Sequence, residues 1–126
     1  MGFKRLAVFA VAILPLAFGA MACSSGLGDA DGSTGTSTPV SVDITEKGEK
    51  ITPVGQVVKV DVGQRITLVV TSDADDEIHV HSDPEHEFQV NSGDSEKDFS
   101  FSIDTPGTWE VESHVLEVTI LKLQVS

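Results

Sequence analysis

From residue 40 onward, apolar and polar positions alternate along the chain. Val58, Val60 and Val62 alternate with Lys59 and Asp61, and Ile66, Leu68 and Val70 with Thr67, Val69 and Thr71. Ile78 and Val80 alternate with His79 and His81, and Phe99, Phe101 and Ile103 with Ser100 and Ser102. Trp109, Val111 and Val115 alternate with Glu110, Glu112 and His114, and Leu121, Leu123 and Val125 with Lys122 and Gln124. A period of two puts successive side chains on opposite faces of a strand. Turn signals at Val62-Gly63-Gln64, Asn91-Ser92-Gly93 and Thr105-Pro106-Gly107 separate the runs. No stretch of this region keeps a helical period. The pattern predicts an all-β domain of seven or eight short strands, an antiparallel sandwich or barrel. Its one-sided apolar stripes should meet in a single core, with Phe99, Phe101 and Trp109 as the largest pieces.

The N-terminal part follows a different pattern. Lys4 and Arg5 precede an uncharged apolar run, Leu6 to Phe18, and small residues surround Met21. This is the layout of a secretory signal over residues 1–22. The run of about 13 residues is shorter than the roughly 20 needed to span a bilayer. Cys23, the only cysteine, follows directly. Its position resembles a bacterial lipobox, in which the cysteine becomes the lipidated N-terminus. Ala22 fits that pattern, whereas Ala20 stands where Leu is usual and Met21 is unusual. The other reading is ordinary cleavage after Ala20-Met21-Ala22. Residues 24–39 are Gly, Ser, Thr and Asp with little to bury, a flexible tether reaching on the order of 20 Å. Loss of Lys4 and Arg5 takes the formal charge from −12 to −14. An acidic surface of this kind repels phosphate backbones and anionic headgroups, so no nucleic-acid partner is expected and membrane contact rests on the lipid.

Strand parity also arranges the candidate chemistry. With Val80 facing the core, His79 and His81 share the opposite face. With Val111 and Ser113 facing the core, Glu112 and His114 share theirs. Three imidazoles and a carboxylate converge if the two strands are neighbours, and such donors suit Cu(II), Zn(II), Fe or Ni. Spacing alone leaves this open, and the same side chains read equally as a solvated polar face. Asp73 to Glu77 lacks the spacing and glycine of an EF-hand loop and reads as a solvated acidic turn. No nucleophile elbow, catalytic thiol or phosphate-cradling glycine loop is present, so the domain is not expected to be an enzyme.

The run from Gly63 through Thr71-Ser72-Asp73 to Asp76-Glu77-Ile78-His79-Val80-His81 resembles the bacterial cupredoxin-like domain often found in lipoproteins. So do Phe99-Ser100-Phe101, Pro106-Gly107-Thr108-Trp109-Glu110-Val111-Glu112-Ser113-His114 and the closing Leu121 to Val125. The resemblance spans roughly residues 57–125. It implies a cupredoxin-like Greek-key β-sandwich with metal ligands at one end, at His79, His81 and His114, with Glu112 beside them. Two departures stand out. The family commonly follows H-x-H with Gly-Tyr-Asp, whereas this chain has Ser82-Asp83-Pro84 and no tyrosine. His86, across that loop, is either a substitute ligand or exposed. Blue-copper proteins use two His, a Cys thiolate and an axial Met. Here Glu112-Ser113-His114 lies where their cysteine would be, and Met1 and Met21 both fall in the signal.

The sequence thus predicts a signal peptide (1–22), a lipidated Cys23 with its tether (23–39) and a cupredoxin-like domain (40–126). The expected role is extracytoplasmic metal handling or delivery, at the cell surface or in the periplasm. Copper is the first choice of ion and zinc the second, and release is expected below about pH 6 as imidazoles protonate. A metal-free module docking on a protein partner in the cell envelope is the competing reading.

Overall fold

A computed structural model describes residues 37–126. The signal segment, Cys23 and the tether up to residue 36 lie outside the described residues. No helix of the described residues is long and apolar enough to cross a membrane.

Nine strands form two sheets among the described residues. One sheet has the order β2 (Lys50–Thr52), β1 (Val40–Lys47), β4 (Ile66–Ser72), β7 (Lys97–Phe101). The other has the order β3 (Gln56–Val60), β9 (Val118–Val125), β8 (Gly107–Ser113), β5 (Asp76–Val80), β6 (His86–Val90). The count exceeds the predicted seven or eight; β2, with three residues, is too short to show a period. The sheets are also not purely antiparallel. β1 runs parallel to β4, and β3 parallel to β9. Each early strand lies beside a later one, which hairpin reasoning from neighbouring runs does not reveal.

Alternation positions the core as parity requires. Ile66, Leu68 and Val70 of β4 point inward, as do Ile78 and Val80 of β5 and Val111 of β8. The fully buried side chains are nearly all aliphatic: Ile44, Ile66, Leu68, Ile78, Ile103, Ile120, Leu121 and Leu123 among them. Each contributes about 1.5–3 kcal/mol by leaving water. The aromatic residues are more peripheral than predicted. Phe101 is buried, but Phe99 and Trp109 pack against the core only partly buried. Val62 and Val115 are exposed because both lie in turns, past the ends of β3 and β8, where strand parity no longer applies.

One detail of β9 matters for the site. Val111 pairs with Leu121 but Glu112 pairs with Thr119, leaving Ile120 as an extra residue on β9. This bulge lets both Ile120 and Leu121 face the core while Thr119 stays on the outer face beside Glu112.

Candidate metal centre

β5 is the spine of the site. It lies between β8 and β6, with His79 opposite Glu112 on one side and Glu87 on the other. The outer face of the five-stranded sheet therefore carries a row Thr119, Glu112, His79, Glu87. One residue pair further along, the His81 N–H donates to the Glu110 carbonyl (2.9 Å), which brings His81 beside Glu110. In the other direction the His114 N–H donates to the Glu77 carbonyl (2.9 Å), and Glu77 pairs with Gln89. Adjacent strands thus bring together all four of the side chains expected from sequence.

Their contacts differ in kind. His79 is the buried centre, 8% exposed although it is on the outer face. Its ring lies 4.2 Å, centroid to centroid, from that of His81 and 5.2 Å from that of His114, the latter edge-on at 88°. His79 Nδ1 is 3.3 Å from His114 Nε2. On its other side, Nε2 faces Glu85 Oε2 at 3.4 Å and Glu87 Oε1 at 4.0 Å. Neither carboxylate is aligned for a hydrogen bond, and Nε2 is buried without a partner. Among the described residues, one group of His, Cys, Asp and Glu side chains can converge on an ion: His79, His81 and Glu85, whose donor atoms lie within 4.8 Å of one another.

His114 and Glu112 stand one step behind that group. His81 Nε2 is 2.8 Å from Glu112 Oε2, and Thr119 Oγ1 donates to Glu112 Oε1 at 3.0 Å. These two hydrogen bonds hold the Glu112 carboxyl below the usual carboxylate range against the opposing effect of partial burial. His114 Nδ1 is 3.1 Å from Glu77 Oε1. An open recess of about 430 Å³ adjoins, lined by Glu112, Ser113, His114 and Glu117. A larger one, about 690 Å³, is lined by Gln64, Arg65 and Phe101 among others and includes none of the histidines.

Two expectations need correction. The resemblance implied ligands at one end of the sandwich, but the imidazoles lie on the outer face of a sheet, where parity sends them. The end near Ser113 holds a closed hydrogen-bond cluster instead. Ser113 Oγ donates to Asp76 Oδ2 at 2.5 Å, and the backbone N–H groups of Glu77 and Val115 donate to Asp76 Oδ1 at 2.7 and 3.0 Å. His86 is neither a neighbour of His79 nor exposed. It shares its strand face with Phe88 and stacks on that ring (interplanar 2°), with Phe101 5.1 Å away. The acidic turn is solvated as expected, with Asp73 and Asp75 exposed; Asp73 Oδ1 also accepts from the Gly48 N–H and Asp75 Oδ1 from the Ser92 N–H.

Sequence reasoning missed Glu77, Glu85 and Glu87. Glu77 shares the parity of His79, two residues on, so its place on the outer face was readable. Glu85 lies in the β5–β6 loop, where no periodicity applies.

No protein-family profile matches the chain, and no curated protein matches it either. Solved structures do. Auracyanin A, a "blue" copper protein of the green thermophilic photosynthetic bacterium Chloroflexus aurantiacus, superposes with a TM-score of 0.54 at 13% identity, covering 71% of this chain and 100% of that one. A point mutant of amicyanin in its Cu(I) form gives 0.51 at 18% identity, covering 70% and 82%. The fold is therefore cupredoxin-like. The donors of a blue-copper site do not come with it, because residues 37–126 contain neither Cys nor Met. What the chain offers a metal is a sulfur-free group of two imidazoles and a carboxylate.

Proposed function

We propose that this chain is a lipid-tethered, extracytoplasmic cupredoxin-like protein that binds a divalent transition metal for handling or delivery. The ion would be held by His79, His81 and Glu85, with Glu112 and His114 orienting the two imidazoles. The observation that carries this reading is the His79 Nε2 atom. It is buried, has no hydrogen-bond partner, and faces two carboxylates. With its proton on Nδ1, His79 would turn an Nε2 lone pair toward carboxylates that also only accept, and a cation between them would resolve the conflict. Metal-ligating histidines usually hold their other nitrogen in a hydrogen bond, as His79 does through Nδ1. Two nitrogens and oxygen favour Cu(II) and Zn(II) over Cu(I), with Cu(II) the tighter. The bound ion supplies a divalent charge to a carboxylate-rich face, on which Lys122 is already paired with Glu110.

Tethering through Cys23 rests on the sequence pattern, and mass spectrometry of the N-terminal peptide tests it. Metal binding is tested by titrating the metal-free protein with Cu(II) and with Zn(II). Joint replacement of His79 and His81 by Ala should abolish the site, and unchanged Cu(II) affinity would refute it. The carboxylates around His79 also support a second reading, a metal-free acidic docking face. Elemental analysis of purified protein separates the two.

A further inference from the structure

We infer that Ser82 is a positioning residue for the metal site: it locks the turn between β5 and β6 so that the Glu85 carboxylate stands beside His79. The purpose of the lock rests on the metal reading above; the lock itself rests on contacts within the turn.

The pairing of β5 with β6 shows why a lock is needed. Its last pair is Val80 with His86, so residues 81–85 form the connecting loop. The ladder stops short of Glu85, and strand register does not set its place. Burial does not hold it either, because the Glu85 side chain is 62% exposed. Yet its Oε2 lies 3.4 Å from the buried Nε2 of His79, and donor atoms of His79, His81 and Glu85 fall within 4.8 Å of one another.

Ser82 supplies the constraint. It is 5% exposed, although Asp83, Pro84 and Glu85 after it are all exposed. Its N–H donates to the Val80 carbonyl at 2.8 Å, which folds the chain back directly after the strand. Its Oγ donates to the Pro84 carbonyl at 2.7 Å. That carbonyl belongs to the planar peptide unit that leads into Glu85. The proline ring fixes φ of residue 84, and the hydrogen bond restrains its ψ, so both soft dihedrals before Glu85 are restrained. On the other side His86 is held by its pairing with Val80. Glu85 therefore starts from a defined backbone position, and a ligand held in place before the ion arrives loses less conformational freedom on binding.

Affinity and structure, both measured on the full chain, test the lock. Ser82→Ala should weaken Zn(II) binding roughly 10- to 100-fold. Combined with Glu85→Ala it should add no further loss, because Ser82 acts through Glu85. Pro84→Gly, which frees φ of residue 84 and leaves Ser82 in place, should show the same dependence on Glu85. Losses that persist undiminished without the Glu85 carboxylate would overturn the inference. Crystal structures of the metal-free proteins give a readout that needs no ion. Glu85 should lie beside His79 in the wild type and lose that contact in Ser82→Ala, with the Val80–His86 pair intact. An unmoved Glu85 in that variant overturns the lock. A displaced Glu85 in a protein whose wild type binds neither Zn(II) nor Cu(II) would establish the lock and remove the metal reading.

Discussion

Glu46→Gln should stabilise this protein near neutral pH. Glu46 ends the inward row of β1 and is 2% exposed. Ser72 Oγ lies 2.9 Å from its Oε2 and 2.8 Å from the carbonyl of Ala74, and accepts from the Ala74 N–H. A hydroxyl has one proton, so an ionised Glu46 and the Ala74 carbonyl compete for it. A neutral Glu46 removes the conflict, because its own proton goes to Ser72 and the Ser72 proton to Ala74. Burial accordingly raises the Glu46 carboxyl above its ordinary value of 4.5, outweighing the opposing Ser72 hydrogen bond, and Asp76 and Asp73 add to the rise. A raised acid means that the folded state holds its proton more tightly than the unfolded state does. The stability this confers is complete below the ordinary value and is lost as pH climbs through the raised one. Gln reproduces the neutral acid, donating from its amide to Ser72. One buried acceptor left unmatched costs about 1–3 kcal/mol, so the variant should gain of that order near pH 7. Urea unfolding should show its midpoint raised by roughly 1 M, given slopes of about 1–3 kcal/mol/M. Near pH 3.5 the two proteins should converge, since about that pH both side chains are neutral. A variant less stable near neutrality, or an advantage equal at both pH values, would refute the argument.

Glu112→Ala should weaken Cu(II) binding roughly 10- to 100-fold by releasing His81, read by competition titration. Because His81 and Thr119 depress the Glu112 carboxyl, its stabilising contribution exists above the ordinary carboxylate value and disappears as pH falls through the lowered one. The stability difference between wild type and Glu112→Ala should therefore narrow on acidification; a constant gap would contradict the assignment. Gly107→Ala should destabilise the fold by about 1–3 kcal/mol, because Gly107 adopts a φ that non-glycine residues rarely take. A Cβ there would also meet the Trp109 ring at 3.3 Å, so Trp109 fluorescence should shift; an unchanged spectrum and midpoint would count against both points.

The period-two pattern was enough to place the inward residues of β4, β5 and β8 and to put His79 and Glu112 on the outer face, with His81 and His114 one residue past the ends of β5 and β8. What parity cannot give is adjacency. That His79 faces Glu112 depends on β5 and β8 pairing with one register, and nothing local to either strand specifies that pairing. The parallel partners of β1 and β3 were hidden for the same reason. Distinguishing ligand from support was a third difficulty. Glu112 and Glu85 are the same residue type within reach of the same histidines, yet one is engaged by His81 and Thr119 while the other faces an unpartnered nitrogen. His86 could have been placed: it has the parity of Phe88 and Val90, which predicts a core-side ring.

The central claim is that a cupredoxin-like sandwich here carries its metal on the outer face of a sheet, through His79, without sulfur. Anomalous diffraction at the copper edge from crystals grown with Cu(II) tests it directly. The account predicts one strong peak at about 2.0–2.2 Å from His79 Nε2, within reach of His81 and Glu85. A peak beside Ser113 and Asp76 at the end of the sandwich, or no ordered copper at all, would contradict it.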